Sequence, residues 1–261
     1  REVIALAQAK ATSVAEALSD DKKKTVFNRF MQEVPMLEVE SRLPMAQYDT
    51  PEHREAVLED IADNWQVLSQ NNQFYAIFAT HSIVQAIHYY RLIKTWQQAG
   101  KFPQINVTAL FDPHLDFDDS SSNGSSNNLA NNQLKSSGLL EILEDYNRCF
   151  STKFDLANHA GFKKDLANRL ARKQPYTHLD DDLRKPLHLL IVVDQMLTGF
   201  DSKWINTLYL DKLMDYENII QAFSRTNRLF GPEKPFGTLR YYRKPYTMTH
   251  NIEQAVKLYS A

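Results

Sequence analysis

Apolar positions along the chain follow two rhythms. Clustered runs at Phe74–Ala79, Ile105–Phe111 and Leu189–Val193, with a shorter one in TLYLDK after Asn206, read as strands. Runs of this kind suit strands buried on both faces of a parallel sheet. Thr238–Tyr242 reads as a further strand. Between these runs the spacing turns helical. Ile83, Ala86, Ile87, Tyr90 and Ile93 share a stripe over Ile83–Trp96, and Phe162, Leu166 and Leu170 share one over Phe162–Lys173. At the front, Val3, Ile4, Ala7, Ala11, Val14 and Leu18 predict one helix ending at Asp20, Asp21 and the lysines Lys22–Lys24, and 25–50 is undecided. Thr50 then caps a helix running from Pro51 to about Leu68, and His250–Ala261 begins another. The alternation predicts an α/β domain over 51–249 with a helical extension or linker over 1–50 and a C-terminal helical segment from 250. Residues 116–133, rich in Ser and Asn, are too polar to bury apolar surface and are expected to form a flexible loop.

Polar residues at the ends of the predicted strands carry the candidate chemistry. Met196–Asp201 follows the 189–193 strand and supplies a hydroxyl at Thr198, close backbone approach at Gly199 and a carboxylate at Asp201. An ordinary turn with a capping aspartate fits the same residues. Thr80, His81 and Ser82 break the pattern before the 83–96 helix, where Ser82 suits an N-cap, and the free N–H groups of a helix start suit a phosphate. In QAFSRTNR, helical pitch puts Gln221, Arg225 and Arg228 along one side, while Ile219, Ile220 and Phe223 dock the segment. Paired guanidinium forks match phosphate oxygens and keep their charge at any working pH. A surface helix with two solvated arginines fits the octet equally well.

Taken in order, these segments resemble the motifs of superfamily 2 helicases. Residues 73–96 resemble motif IV, LTGFD resembles motif V, and Gln-x-x-x-Arg-x-x-Arg resembles motif VI. A narrower resemblance lies in 144–173, where Tyr146, Asn147, Phe150, Phe154, Phe162, Lys164, Asp165, Arg169 and Leu170 are similar to a segment of the motor (R) subunit of type I restriction enzymes. The resemblance implies a RecA-like parallel sheet flanked by helices, the second motor domain of such a subunit. It implies that Gln221, Arg225 and Arg228 act in catalysis, that Gly199, Asp201, Arg225 and Arg228 contact the nucleotide, and that Thr80, His81, Ser82 and Thr198 contact the DNA backbone. ATP with Mg²⁺ and double-stranded DNA follow as ligands. The specificity and methyltransferase subunits follow as partners, along with the remaining domains of the same chain. Charged residues on the 162–173 helix, Lys163, Lys164, Arg169, Arg172 and Lys173, offer a basic edge to a phosphate backbone or to solvent.

Composition narrows this picture without replacing it. With 261 residues, 43% of them hydrophobic, the chain can bury one large core or two small ones. A formal charge of −2, from 30 basic and 32 acidic residues, leaves any DNA contact to local patches. The single cysteine, Cys149, excludes an internal disulfide, and the absence of metal-ligand spacing gives no metal site. A reducing cytoplasm suits this usage. There is no apolar run of the ~18 residues that crosses a bilayer and no signal-peptide pattern over 1–20, so no membrane partner is expected. Arg1 in place of methionine suggests a piece of a longer chain.

The sequence has no Gly-x-x-x-x-Gly-Lys-Ser/Thr loop. It also lacks a convincing nuclease constellation, and Asp180–Asp182 read as a solvated turn. The expectation is a half-site: this domain supplies arginines and DNA-backbone contacts, while a first motor domain grips most of the nucleotide. Alone it would be inactive. The competing readings are a second motor domain of a generic superfamily 2 helicase or remodeller, and a RecA-like scaffold that binds only protein.

Overall fold

The computed structural model describes residues 1–112, 125–178, 185–193, 201–214, 216–226, 228 and 230–259, with the backbone alone for 125–131, 216 and 259. It divides into two compact units, residues 51–243 and residues 1–50 with 244–261.

The larger unit is built on five parallel strands: β1 (Tyr75–Thr80), β2 (Val107–Leu110), β3 (Leu189–Val192), β4 (Ile205–Asp211) and β5 (Thr238–Tyr241), in the order β2-β3-β1-β4-β5. Every residue of β1 to β4 is buried. That is why these segments read as unbroken apolar runs: helices cover the sheet, and parallel strands need such crossovers. At the edge of the sheet, β5 is half-buried throughout.

Around the sheet lie α5 (Pro51–Leu68), α6 (Ile83–Gln98), α7 (Ser125–Phe150), α8 (His159–Ala171) and α9 (Tyr216–Thr226). The expected stripe of α6 is buried at Ile83, Ala86, Ile87, Tyr90 and Ile93. Ser82 caps it, its hydroxyl accepting from the Gln85 N–H at 3.3 Å. Helix α7 changes the reading of the Asn-rich stretch, because 125–133 is helical; the part from 116 to 124 lies outside the described residues. Propagation explains the difference. The far half of α7 is anchored by buried Leu139, Ile142, Leu143, Tyr146 and Phe150, and a helix once nucleated extends at little cost per residue.

The segment that carried the narrow family resemblance forms a packed cluster. Arg169, 1% exposed, donates from Nε to Tyr146 Oη at 2.8 Å and to Asp165 at 3.0 Å. Its guanidinium lies 4.2 Å from the Phe150 ring centroid and 4.0 Å from that of Tyr176, and Tyr146 and Tyr176 both donate to Asp165. Burial pushes the Tyr146 phenol far above its ordinary pKa, so it remains a donor. Asn147 closes the following turn, donating to Phe154 O at 2.7 Å and accepting from Phe154 N at 2.8 Å. Arg169 therefore belongs to the interior, and the basic edge expected along α8 loses it. Arg172 is also committed: it donates to Tyr75 Oη at 2.7 Å and lies 3.6 Å from the Trp204 ring centroid. Lys163, Lys164 and Lys173 remain exposed. Tyr146→Phe, which deletes one oxygen from this cluster, is expected to lower unfolding free energy by about 1–3 kcal/mol, readable by urea denaturation; a change near zero would show that Asp165 and Arg169 hold each other without the phenol.

In the smaller unit, the single front helix expected up to Asp20 is two, α1 (Glu2–Gln8) and α2 (Val14–Ser19). Lys10 sits at φ 52° between them, and Ser13 Oγ accepts from Glu16 N while the Glu16 carboxylate accepts from Thr12 N and Oγ1. This local capping outweighs a continuous stripe. The lysines Lys22–Lys24 start α3 (Asp21–Gln32) instead of ending a helix, with Asp20 as its cap. Ile4, Ala5, Ala9, Ala17, Phe27 and Phe30 are among the apolar residues packed together here. In α4 (Met36–Ser41), buried Glu40 accepts from Tyr246 N at 3.1 Å, Thr247 N at 2.8 Å and Thr247 Oγ1 at 2.9 Å. Those N–H groups are the otherwise unsatisfied donors at the start of α10 (Pro245–Tyr259).

Candidate functional site

The predicted site residues fall at opposite edges of the sheet. Thr80 ends β1, and His81 and Ser82 follow it. Asp201 instead precedes Ile205, where β4 begins, and the far end of α9 lies against Gly237, just before β5: a Cβ built on Gly237 would stand 2.3 Å from Thr226 O. With all strands parallel, the six residues of β1 separate the two groups by about 20 Å.

The arginine edge holds Gln221, Arg225, Arg228 and Asp201. Ile219 and Ala222 of α9 are fully buried, docking the helix on β4 and β5 and leaving Gln221 exposed. Arg225 sits in the last turn, where a cation is favoured by the helix dipole, and its Nε donates to Gln221 O at 3.0 Å. The helix ends at Thr226, so Arg228 lies beyond it and does not share the pitch of Gln221 and Arg225. The backbone at Gly237 lies beside Thr226, with no room between them for a side chain. Arg228 forms an ion pair with Asp201, the two side chains being 62% and 45% exposed. Such a pair contributes about 0–1 kcal/mol, so a phosphate can exchange with the carboxylate at little cost. Guanidinium groups such as those of Arg225 and Arg228 can hold and neutralise a phosphate; they supply neither a nucleophile nor a general base. Thr198 and Gly199 lie outside the described residues, as do Asp180–Asp182.

At the other edge Ser82 and His81 are half-buried and open to contact. Thr80 is not: it has no exposed surface, and its hydroxyl faces Val192 O at 3.3 Å and Ser82 O at 3.2 Å. A side-chain contact from Thr80 to a ligand is thereby excluded in this arrangement, because β3 and the turn into α6 enclose the hydroxyl.

Three further features escaped the sequence reading. Asp211, which ends β4 with no exposed surface, receives Arg243 Nε at 2.9 Å, Arg243 Nη2 at 3.1 Å and Tyr89 Oη at 2.9 Å, and His53 Nε2 lies 2.8 Å away. Burial alone would raise its pKa, but hydrogen bonds from His53 and Arg243 and the arginine's charge hold it below the usual carboxylate value. A carboxylate inside the run TLYLD was the available signal, since an acid there must be paired. The other two are Lys234, buried near the Arg228 main chain, and Gly237. Among the described residues no group of three or more His, Cys, Asp or Glu could hold a metal ion, and no helix is long and apolar enough to cross a membrane.

Comparison with known proteins places this arrangement in a family. The sequence profile of type I restriction enzyme subunit R domain 3 matches residues 72–244. The endonuclease subunit of a type I restriction enzyme from Staphylococcus saprophyticus is 32% identical over 207 residues, covering 79% of this chain and 20% of that protein. One from Staphylococcus aureus is 32% identical over 212 residues with the same coverage. The endonuclease subunit of the HindI enzyme of Haemophilus influenzae is 47% identical over 58 residues, 22% of this chain and 6% of that protein. The chain thus spans about a fifth of the length of the staphylococcal relatives. From the packed 144–173 segment, the parallel sheet and these matches together, the chain belongs to the R-subunit family of type I restriction enzymes, and residues 72–244 are its domain 3.

Proposed function

We propose that this chain is the second motor domain of an ATP-driven DNA translocase and endonuclease subunit, supplying one half of a nucleotide site and one part of a DNA track. The observation that carries the reading is the exposed Asp201–Arg228 pair just past a docked helix whose last turn holds Arg225. Arg225 and Arg228 would close over the phosphates of ATP held mainly by another domain, stabilising the charge that develops during γ-phosphoryl transfer. Asp201 keeps the Arg228 fork oriented until phosphate replaces it, and Gln221 lines the same approach. Mg²⁺ would neutralise phosphate charge from the partner domain's side, as this domain offers it no acidic cluster among the described residues.

At the opposite edge Ser82, His81 and the α6 N-terminus would touch the DNA backbone, as the resemblance implies for Thr198 too, a contact that adds affinity without reading sequence. Sequence recognition and methylation would then fall to other subunits. On this reading the 261-residue chain by itself has no appreciable ATPase or nuclease activity.

DNA-stimulated ATP hydrolysis by the full-length parent tests the proposal. Arg225→Ala and Arg228→Ala are each expected to lower turnover roughly a hundredfold or more while leaving the fold intact by circular dichroism. Unchanged turnover in both would remove the motor assignment and favour a domain that binds only protein.

A further inference from the structure

Residues 230–237 lead into β5, and they fold back on themselves. Phe230 N donates to Lys234 O at 3.1 Å, Gly231 takes φ 58° at the bend, and the Phe230 ring packs 4.8 Å from Trp204. The bend drives the Lys234 side chain inward until no part of the residue is exposed. Its Nζ donates to Arg228 O at 2.8 Å, Ile205 O at 2.6 Å and Lys203 O at 3.3 Å. An ammonium has three protons, and here each has a carbonyl to meet.

The identity of those carbonyls matters. One belongs to Arg228 itself; the others belong to the two sides of Trp204, directly after Asp201 and Ser202. One buried cation thus ties the Arg228 main chain to that of Lys203 and Ile205, two and four residues after Asp201, the partner in its exposed pair. None of its three partners in these bonds is a carboxylate, and burial pulls the Lys234 pKa down to about 8. Filling the space with an apolar side chain would avoid that desolvation, and would also leave three buried carbonyls without their donor.

We infer that Lys234 is a positioning residue for Arg228: its buried ammonium fixes the backbone from which the guanidinium reaches the nucleotide. This rests on the reading of Arg228 given above. Arg228 lies past the end of α9 and cannot take its placement from helical hydrogen bonds. Its side chain is largely exposed, and the side chain of its carboxylate partner is itself 45% exposed. Lys234 supplies the fixed point that the helix does not.

The test is steady-state, DNA-stimulated ATP hydrolysis by the full-length parent carrying Lys234→Met, Arg228→Ala or both, with the fold checked by circular dichroism. Lys234→Met keeps the length of the side chain and removes all three donors. It is expected to lower kcat about tenfold or more, since small misplacements of a catalytic group are costly, with the KM for ATP changing less than threefold. In the Arg228→Ala background the same change is expected to have no further effect on kcat. If Arg228→Ala lowers kcat and Lys234→Met does not, positioning is wrong and the arginine reading stands. An equal Lys234→Met loss in both backgrounds would reduce Lys234 to general packing. Unchanged kcat in Arg228→Ala would overturn both readings. Should Lys234→Met fail to fold, Lys234→Gln, with two amide donors and no charge, carries the same comparison in the two backgrounds.

Discussion

Asp211→Ala is expected to lower the unfolding free energy of this chain by about 3–5 kcal/mol, the range for removing one partner of a buried ion pair. The loss comes from what remains behind. Arg243 has no exposed surface, and its Nε and Nη2 both lie on the Asp211 carboxylate; without it, two donors of a buried guanidinium lose their acceptors. The Tyr89 hydroxyl, 2.9 Å away, loses its acceptor too. Asp211→Asn separates charge from shape, because its amide can still accept from one donor, and should fall between wild type and Asp211→Ala. The sign of the pH dependence follows from the depressed native pKa. The charge contribution is fully present above the unfolded value of about 3.9 and is lost as pH falls through the lower folded value. The gap between wild type and Asp211→Asn should therefore close as pH falls below about 4. Urea denaturation over that range decides the matter: a loss below about 1 kcal/mol for Asp211→Ala would mean that Arg243 finds another partner at once.

Gly237→Ala is expected to damage the arginine edge through a single methyl group. The added Cβ would stand 2.3 Å from Thr226 O and 2.5 Å from Thr226 Cβ, so the last turn of α9 or the start of β5 must move. Overpacking of this kind costs about 1–3 kcal/mol. The functional effect should be larger than the stability loss suggests. Arg225 and Arg228 flank the displaced residue, and a shift near 1 Å at a catalytic group is worth about a hundredfold in rate. Gly100→Ala is the control: Gly100 has φ 70° but nothing within 4 Å of the added Cβ, so it should cost about 1 kcal/mol and leave turnover in the full-length parent alone. Equal turnover in the two variants would show that the end of α9 does not set the arginine geometry.

The sheet and α6 were legible because their signals are local and redundant. A run such as Leu189–Val193 has few other uses, and the stripe from Ile83 to Ile93 repeats over three turns. The 144–173 signature was legible as well, but as a family mark; that Tyr146, Asp165 and Arg169 meet in one cluster needs two helices folded together. Other features had no local signal. Nothing in QAFSRTNR announces that Thr226 packs against the backbone of Gly237, beyond the bend. Lys234 reads as one more surface lysine until its carbonyl partners, up to 31 positions away, are in place. The partnership of His53 with Asp211 spans 158 positions. Thr80 looked like a ligand contact because a strand end is where ligands gather; only the neighbouring strand shows that its hydroxyl is enclosed. The break between α1 and α2 was in principle readable from Ser13 and Glu16, and the long apolar stripe masked it.

The bond between Glu40 and the start of α10 also sets a timetable for biosynthesis. Tyr246 is 206 positions downstream of Glu40. At 5–20 residues per second, a ribosome needs roughly 10–40 s to make that stretch. The helices of 1–39 can pack against one another during this time, since their apolar partners are close in sequence. Glu40 cannot complete its environment, and its carboxylate stays hydrated until the residues that donate to it are made. The larger unit, continuous from 51 to 243, has all its residues first. In a growing polypeptide the α/β core is therefore finished before the helical unit that precedes it in sequence, and premature termination anywhere before Pro245 leaves that first unit without its last helix.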